Sequence, residues 1–230
     1  MKIDMHIHTK YSRDSVISPR FLIKTAIRKG LDCIAITDHD TTKGWKPCVQ
    51  FSRKFNFMII QGEEIKAMEN GKKIGEILGY FLTEEIPPGN PMDIIDEIKS
   101  QGGISAIAHP FDRRNNRLYL FPEVIKKVDL IEGFNARTVF NTRNRKAMKL
   151  AEEFNKPVIA GSDAHTCWEI GNAYVTSSAC TEEELRKYLL KGKIEITGKT
   201  TNPLVHVFST IIKVKSFVRS RKPQNLKDVA

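Results

Sequence analysis

Residues 2–8, KIDMHIH, alternate apolar and polar side chains in the manner of a β-strand. Two histidines in this strand are separated by one residue, so both lie on one face, where they can bind the same metal ion. The alternation predicts an apolar face and a polar face: Ile3, Met5 and Ile7 on one, and Asp4, His6 and His8 on the other. The first strand therefore predicts both a sheet and the start of a metal site.

Strands and helices alternate along the rest of the chain. Short apolar stretches predict further strands at residues 33–37, 57–60, 75–81, 104–108, 130–135 and 158–160. Helical patterns lie between them, at residues 18–30, 46–54, 90–102 and 142–154. The first of these begins at Ser18-Pro19, a favourable N-cap and first-turn proline. This alternation predicts an α/β fold with a parallel sheet covered by helices, either a compact β/α barrel or an open sheet.

Composition excludes several classes of protein. The 230 residues are 40% hydrophobic and 28% charged, which argues against collagen, coiled coils and wholesale disorder. Uninterrupted apolar runs stay well below the roughly 18 residues of a membrane span, and the N-terminus lacks the pattern of a secretory signal. Four widely spaced cysteines are typical of reduced thiols. We expect a cytoplasmic protein.

The net charge of +10 is concentrated near the C-terminus. Residues 191–230 hold nine basic and two acidic residues, a net charge of +7. Residues 201–230 are predicted to form a basic, partly amphipathic tail that follows a barrel domain over residues 1–200. Two interpretations of this tail stay open: a helix packed on the barrel with a solvated end, or a contact with a membrane surface or RNA.

Polar clusters follow most of the predicted strands. TDHD at 37–40, GEE at 62–64, AHP at 108–110 and GSDAH at 161–165 all lie at strand ends, and together with the first strand they contain five of the six histidines. Barrel enzymes carry their active sites at the C-terminal ends of the strands. Imidazole and carboxylate groups suit zinc, manganese or iron, while the absence of thiolate ligands argues against a structural zinc site.

These motifs resemble those of the PHP (polymerase and histidinol phosphatase) family of metal-dependent phosphoesterases. The resemblance covers residues 1 to about 200 and depends on DMHIHTKYSRDS, AITDHD, QGEEI, GEILGYF, AIAHPF, IEGFNAR and AGSDAH in family order. It implies a distorted seven-stranded (β/α)7 barrel with two or three divalent metal ions in its mouth (Mn, Fe or Zn, with Mg as a further option).

The resemblance also implies a ligand set. The first metal is expected to bind His6, His8, Glu64 and Asp163, and the second Glu64 and His109. The third is expected to bind Asp14, His39 and His165. Asp14 is otherwise interpreted as an ordinary turn aspartate.

Glu76 departs from the family, in which many members have a histidine ligand at this position. Glutamate here favours manganese, magnesium or iron if it binds a metal, and it is otherwise a strand-end residue. Adjacent strand residues point to opposite faces, so Glu63 and Glu64 are not both expected in one site. Asp38 and Asp40 are candidates for orienting ligand imidazoles.

The implied reaction is attack of metal-bound hydroxide on phosphorus without a phosphoenzyme intermediate. His39, Glu64, Asp163 and His165 are the predicted catalytic residues, all of them among the predicted ligands. Guanidinium groups hold phosphate oxygens well, and the candidates for substrate binding follow two strands: Arg113, Arg114, Asn135 and Arg137.

Three functions stay open at this level. The leading one is hydrolysis of a phosphorylated small molecule, a nucleotide or a short oligonucleotide end, as in the stand-alone members of the family. A phosphatase of small metabolites, similar to histidinol phosphatase, is the second. The third is an RNA-binding barrel with structural metals and the basic tail as its anchor, although such a protein has no need for this set of histidines and carboxylates.

Overall fold

A computed structural model describes residues 1–111, 116–138 and 140–201. The strands are β1 (Lys2–Ile7), β2 (Cys33–Ile36), β3 (Met58–Glu69), β4 (Lys72–Tyr80), β5 (Ile104–Ile107), β6 (Leu130–Asn135), β7 (Val158–Gly161), β8 (Ala173–Thr176) and β9 (Glu195–Gly198). The helices are α1 (Pro19–Arg28), α2 (Trp45–Ser52), α3 (Pro91–Ser100), α4 (Pro122–Lys127), α5 (Asn141–Glu153) and α6 (Glu182–Leu190). The seven strands and four helices expected from the sequence are confirmed, with shifted ends.

The strands form one nearly closed, barrel-shaped sheet in the order β7-β6-β5-β4-β3-β2-β1-β8-β9. The α/β barrel class is therefore confirmed, but the strand number is larger than seven. The sheet is also mixed rather than parallel, because β4 runs antiparallel to both β3 and β5, and β8 runs antiparallel to β1. The last two strands, β8 and β9, extend the sheet beyond β1.

A long hairpin explains the departure from parallel pairing. β3 and β4 pair from Gly62 opposite Tyr80 to Glu69 opposite Lys72, and Asn70-Gly71 makes the turn. Both turn residues have positive φ, +49° and +73°, which asparagine and glycine tolerate best. β3 therefore runs well past the end of β2, and the hairpin forms one wall of the barrel mouth.

The first strand does not keep all its apolar side chains on one face. Ile3 and Met5 pack in the cluster that includes Leu185 and Leu189 of α6, whereas Ile7 packs in the cluster beneath α1. The pairing of β1 with β2 shifts register between Asp4 and Ile7, which reverses the faces there. The prediction that Ile3, Met5 and Ile7 share a face was therefore wrong.

The reversal also separates Asp4 from the two histidines of the strand. Its carboxylate accepts hydrogen bonds from the backbone N–H groups of Ser162, at 2.9 Å, and Gly171, at 2.8 Å. Asp4 is thus a buried anchor for the segment after β7 and is not grouped with the metal-ligating side chains.

The end of β7 returns to β1 and nearly closes the barrel. The N–H of Asp163 donates to the carbonyl of His6 at 2.8 Å, and the N–H of His8 donates to the carbonyl of Ala164 at 3.0 Å. A Cβ atom at Gly161 would lie 2.3 Å from the Cβ of His6, so only glycine permits this approach. The last predicted polar motif is thereby brought against the first.

None of the helices in the described ranges is both long enough and apolar enough to cross a membrane. The predicted tail, apart from Thr201, lies outside the described residues, so its division from the barrel stays a prediction.

Candidate metal centre

Nine predicted ligands converge at the mouth of the barrel. They come from β1, the turns after it and after β2, the β3–β4 hairpin, and the segments after β5 and β7: His6, His8, Asp14, His39, Glu64, Glu76, His109, Asp163 and His165. Eight of these, all except Asp14, form four overlapping groups of three whose ligand atoms lie within 4.8 Å of one another. The sixth histidine, His206, lies outside the described residues.

The His6 and His8 rings face each other. Their Nε2 atoms lie 3.1 Å apart, and both side chains are buried. The Nδ1 of His6 lies 2.9 Å from Oε1 of Glu132, and the Nδ1 of His8 lies 3.1 Å from Oγ of Ser12. When each Nδ1 carries the ring proton, both Nε2 atoms present lone pairs to the space between the rings.

Glu64 lies at the middle of the site. Its Oε1 is 2.9 Å from Nε2 of His109, and its Oε2 is 2.9 Å from Nδ1 of His39. The same Oε2 atom is 3.4 Å from Nε2 of His6 and 3.3 Å from Nε2 of His8. A single carboxylate therefore touches four imidazole rings, and its role as a bridge between two cations stays a prediction.

Asp163 and Asp14 add carboxylates on the opposite side of the site. The Oδ1 of Asp163 is 3.2 Å from Nε2 of His8 and 3.4 Å from Nδ1 of His165. Asp14 lies 3.3 Å from Nε2 of His165 and 3.6 Å from Nε2 of His39. The three residues expected to share the third metal are thus brought together.

Glu76 points into the same space from β4. Its carboxylate is 3.7 Å from Nδ1 of His39 and 3.7 Å from Nε2 of His109, and it forms an ion pair with Lys73. Glu76 is buried, whereas the Lys73 side chain is partly exposed at the mouth. The structure therefore places Glu76 where a ligand would lie, with a cationic side chain already beside it.

Charges of opposite sign set the protonation of the site. His39 and His6 hold the pKa of Glu64 well below its usual range, although burial opposes this shift. Burial lowers the pKa of His8, but the nearby carboxylates of Asp163 and Glu64 outweigh it and raise that pKa to about 9. Because ligand atoms bind metals only in their deprotonated forms, a divalent cation would compete with these ring protons.

Backbone strain accompanies two of the ligands. His109 has a φ of +22° and Asp163 a φ of +51°, in the left-handed region that residues other than glycine rarely adopt. Such residues cluster at functional sites, where the surrounding contacts hold them in place. The N–H of His109 is held by Oε2 of Glu132 at 2.7 Å.

Buried carboxylate oxygens without a hydrogen-bond partner indicate whether a cation fits this site. The Oε2 of Glu64 and the Oδ1 of Asp163 are inaccessible to solvent and have no hydrogen bond of good geometry, although imidazole nitrogens surround them. Buried charged oxygens without such partners are costly. Two carboxylate oxygens and the facing Nε2 atoms of His6 and His8 make a donor set that divalent cations accept, so the residues present fit the expected metals.

Two of the four predicted substrate-binding residues lie beside the predicted ligands, and two lie outside the described residues. Asn135 is buried, and its Nδ2 lies 3.3 Å from Oδ2 of Asp163. Arg137 is only 8% exposed, and its Nη1 lies 3.6 Å from Oε1 of Glu169 and 3.5 Å from the carbonyl of Asp163. Arg113 and Arg114 lie outside the described residues.

The two neighbouring aspartates differ in their contacts. Asp38 accepts hydrogen bonds from the Thr9 hydroxyl at 2.6 Å and from the Ser12 hydroxyl at 2.8 Å, and so reaches His8 through Ser12. Asp40 instead forms an ion pair with Lys66 and accepts a hydrogen bond from its N–H, so the expectation that it orients an imidazole was wrong.

Glu63 points away from the site, as the alternation of a strand predicts. Its Oε2 accepts a hydrogen bond from the N–H of Ile86 at 2.9 Å, and burial raises its pKa to about 8.

Several contacts of the site were not predicted from the sequence. Glu132 lies in IEGFNAR and looks like a single polar residue in an apolar strand, and Ser12 looks like an ordinary turn residue. The Asn70-Gly71 dipeptide is the signal that could have predicted the hairpin and hence the position of Lys73 at the mouth.

The metal-ligating groups open into a cleft of about 540 Å³. Its lining combines ligands with four basic residues: Arg13, Lys43, Lys66 and Lys73 are the basic ones, and Asp14, His39 and Glu76 the ligands. Asp40 and Glu85 also line the cleft, and Lys66 and Lys73 are ion-paired, so an anionic substrate would depend on cations held by the ligands as well as on these basic side chains.

Two comparisons show which known sequences this chain is similar to. Residues 141–194 match a family described as PHP-associated. A protein of Methanocaldococcus jannaschii, itself uncharacterised, is 33% identical over 220 residues, which cover 93% of this chain and 86% of that protein.

Solved structures share the fold at low identity. A two-domain protein from Bacteroides vulgatus, containing a predicted PHP-like metal-dependent phosphoesterase, superimposes with a TM-score of 0.70 and 19% identity, over 86% of this chain and 65% of that longer chain. A putative metal-dependent phosphoesterase from Bifidobacterium adolescentis superimposes with a TM-score of 0.62 and 17% identity, over 84% of this chain and 96% of that chain.

Proposed function

The chain belongs to the PHP family of metal-dependent phosphoesterases, and we propose that it hydrolyses phosphomonoesters, with a nucleotide or the phosphorylated end of a short oligonucleotide as its substrate. The observation that carries this proposal is the convergence of five imidazoles and four carboxylates at the barrel mouth. A site with so many buried ligand groups is expensive to fold without cations, which argues for a metal-dependent activity.

The ligand atoms divide naturally between neighbouring positions. His6, His8 and Asp163 would hold one cation, and Glu64 and His109 would approach a second. His39 and His165 with Asp14 would hold a third. Divalent cations at such positions neutralise phosphate charge and lower the pKa of a bound water.

The protein's own residues orient the substrate. The Arg13, Lys43 and Lys73 side chains line the cleft above the ligands, where their charges attract a phosphate dianion and the neighbouring phosphates of a nucleotide. Lys73 pairs with Glu76 and so lies at the boundary between cleft and ligands. Buried Asn135, beside Asp163, stabilises the orientation of that carboxylate.

A substrate panel tests the proposed class. We would measure phosphate release by the manganese-loaded protein from p-nitrophenyl phosphate, histidinol phosphate, nucleoside 3′,5′-bisphosphates and short 5′-phosphorylated RNA. The proposal predicts the highest kcat/KM for a nucleotide or RNA substrate, and one oxygen-18 atom in the phosphate released in labelled water. A preference for histidinol phosphate would instead support the small-metabolite phosphatase.

The RNA-binding alternative rests on residues 201–230, of which only Thr201 is described. Deleting residues 202–230 tests it. Loss of RNA binding with unchanged phosphatase activity would assign the tail a separate binding role. Unchanged activity on oligonucleotides and unchanged salt sensitivity would remove the tail from the account.

A further inference from the structure

Glu132 is a buried carboxylate of β6 that contacts three parts of the metal centre at once. Its Oε1 lies 2.9 Å from Nδ1 of His6. Its Oε2 accepts the N–H of His109 at 2.7 Å and the Nδ2 of Asn135 at 3.2 Å. The side chain is 1% exposed, so water does not substitute for these contacts. Asn135 in turn lies beside Asp163, so the contacts reach ligands from three segments.

The chemistry of these partners fixes where protons lie. An ionised carboxylate only accepts hydrogen bonds, so Nδ1 of His6 must carry a proton to bond to Glu132. The Nε2 of His6 then faces His8 and the carboxylates of Glu64 and Asp163. His6 belongs to two ligand groups, one that contains Asp163 and one that contains His109. Its tautomer therefore affects both groups.

We propose that Glu132 is a positioning residue, which holds His6 with its proton on Nδ1 and its Nε2 toward the cations and simultaneously fixes the strained backbone of His109. This inference rests on the proposed function, because it concerns the same metal centre. Partners of this kind orient ligand imidazoles and raise their basicity. One carboxylate thereby adjusts two ligands from different strands.

The Glu132→Gln substitution separates this role from simple packing. A backbone N–H cannot become an acceptor, so the amide oxygen of the glutamine must stay toward His109. The amide NH₂ group then faces Nδ1 of His6, and two donors oppose each other. His6 must either move its proton to Nε2 or rotate, and both changes remove Nε2 from the cation.

The test measures Zn²⁺ affinity by chelator competition and the protonation of the His6 ring by ¹⁵N NMR of the zinc-loaded protein. We expect Glu132→Gln to weaken Zn²⁺ binding by roughly 10- to 100-fold and to shift or abolish the protonated Nδ1 signal of His6. Glu63→Gln is the control, since Glu63 is equally buried and adjoins Glu64, and among the described residues its carboxylate bonds only to the Ile86 N–H and to no imidazole. It should leave the affinity within twofold of the wild type.

A second variant covers the case in which glutamine prevents folding. Glu132→Asp keeps an acceptor-only group but shortens it, so Nδ1 of His6 should stay protonated while Zn²⁺ affinity falls. Wild-type affinity in either variant would overturn the proposal, as would an equal loss in Glu63→Gln. A wild type that binds Zn²⁺ but hydrolyses no substrate would refute the proposed function and leave this inference standing.

Discussion

Ser12 connects a buried carboxylate to two metal-ligating segments, and its removal should weaken the metal site measurably. Its hydroxyl donates to Oδ1 of Asp38 at 2.8 Å. Its oxygen also lies 3.0 Å from the N–H of His39 and 3.1 Å from Nδ1 of His8. Because the hydroxyl proton is used by Asp38, the oxygen accepts from both of the others, and His8 keeps its proton on Nδ1.

The loss of stability follows from the hydrogen-bond donors that Ser12→Ala leaves without an acceptor. Asp38 keeps its short hydrogen bond from the N–H of Thr9, so the loss falls on the His39 N–H and the His8 ring. Each unsatisfied buried donor costs roughly 1 to 3 kcal/mol, but the His39 N–H is only partly buried, so we expect a total loss of about 2 to 4 kcal/mol in the free energy of unfolding. For a domain of this size, this corresponds to a fall of roughly 4 to 16 °C in Tm.

Metal affinity should fall by roughly 10- to 100-fold, since contacts of this kind orient a ligand imidazole. Calorimetric titration of the metal-free protein with Mn²⁺ measures the affinity, and thermal unfolding measures the stability. Ser105→Ala is the control, because Ser105 is also buried and its hydroxyl bonds to Asp129, away from the metal centre. Ser12→Ala with lower stability but wild-type Mn²⁺ affinity would refute the reasoning, as would an equal loss of affinity in the control.

Three further measurements test Glu76, Arg137 and the cysteines. Glu76→His should shift the bound metal toward zinc over manganese, because imidazole is a softer ligand than carboxylate. Elemental analysis after exposure to both metals measures this ratio, and an unchanged ratio would argue that Glu76 is not a ligand. Arg137→Ala should raise KM for phosphate substrates, because it removes a guanidinium group beside Asp163. It should also lower the free energy of unfolding by roughly 1 to 3 kcal/mol, because Oε1 of buried Glu169 loses its cationic neighbour while Oε2 keeps its hydrogen bonds; an unchanged KM in a destabilised protein would make the role of Arg137 purely structural. Iodoacetamide at pH 8 should modify exposed Cys180 in the native protein but not Cys48, since burial raises the pKa of that thiol; rapid modification of Cys48, measured by mass spectrometry, would contradict its burial.

Much of the fold follows from local patterns in the sequence. Alternating apolar residues and helix-start signals such as Ser18-Pro19 depend on neighbours in the chain, and the structure has a strand or helix at each predicted position. Pairing direction and closure depend on distant contacts. The approach of Gly161 to His6 and the reversal of faces in β1 arise from such contacts, so the strand pattern alone does not predict them.

The same distinction between local patterns and distant contacts applies to the candidate site. Histidines and carboxylates at strand ends stand out because parallel strands bring their ends together, and the predicted ligands do lie together at the mouth. Glu132 and Ser12 gain their significance only from atoms supplied by other segments, such as Nδ1 of His6 and the carboxylate of Asp38. A single sequence holds no local sign of these partners.

The most direct test of the central claim is phosphate release before and after metal is restored. The protein would be stripped with a chelator, then assayed with p-nitrophenyl phosphate and a short 5′-phosphorylated RNA, with and without Mn²⁺. We predict activity only with Mn²⁺ in the wild type and in Ser105→Ala, and loss of at least 100-fold, about 2.7 kcal/mol in transition-state free energy, in His8→Ala. Equal release without metal, or full activity in His8→Ala, would contradict it.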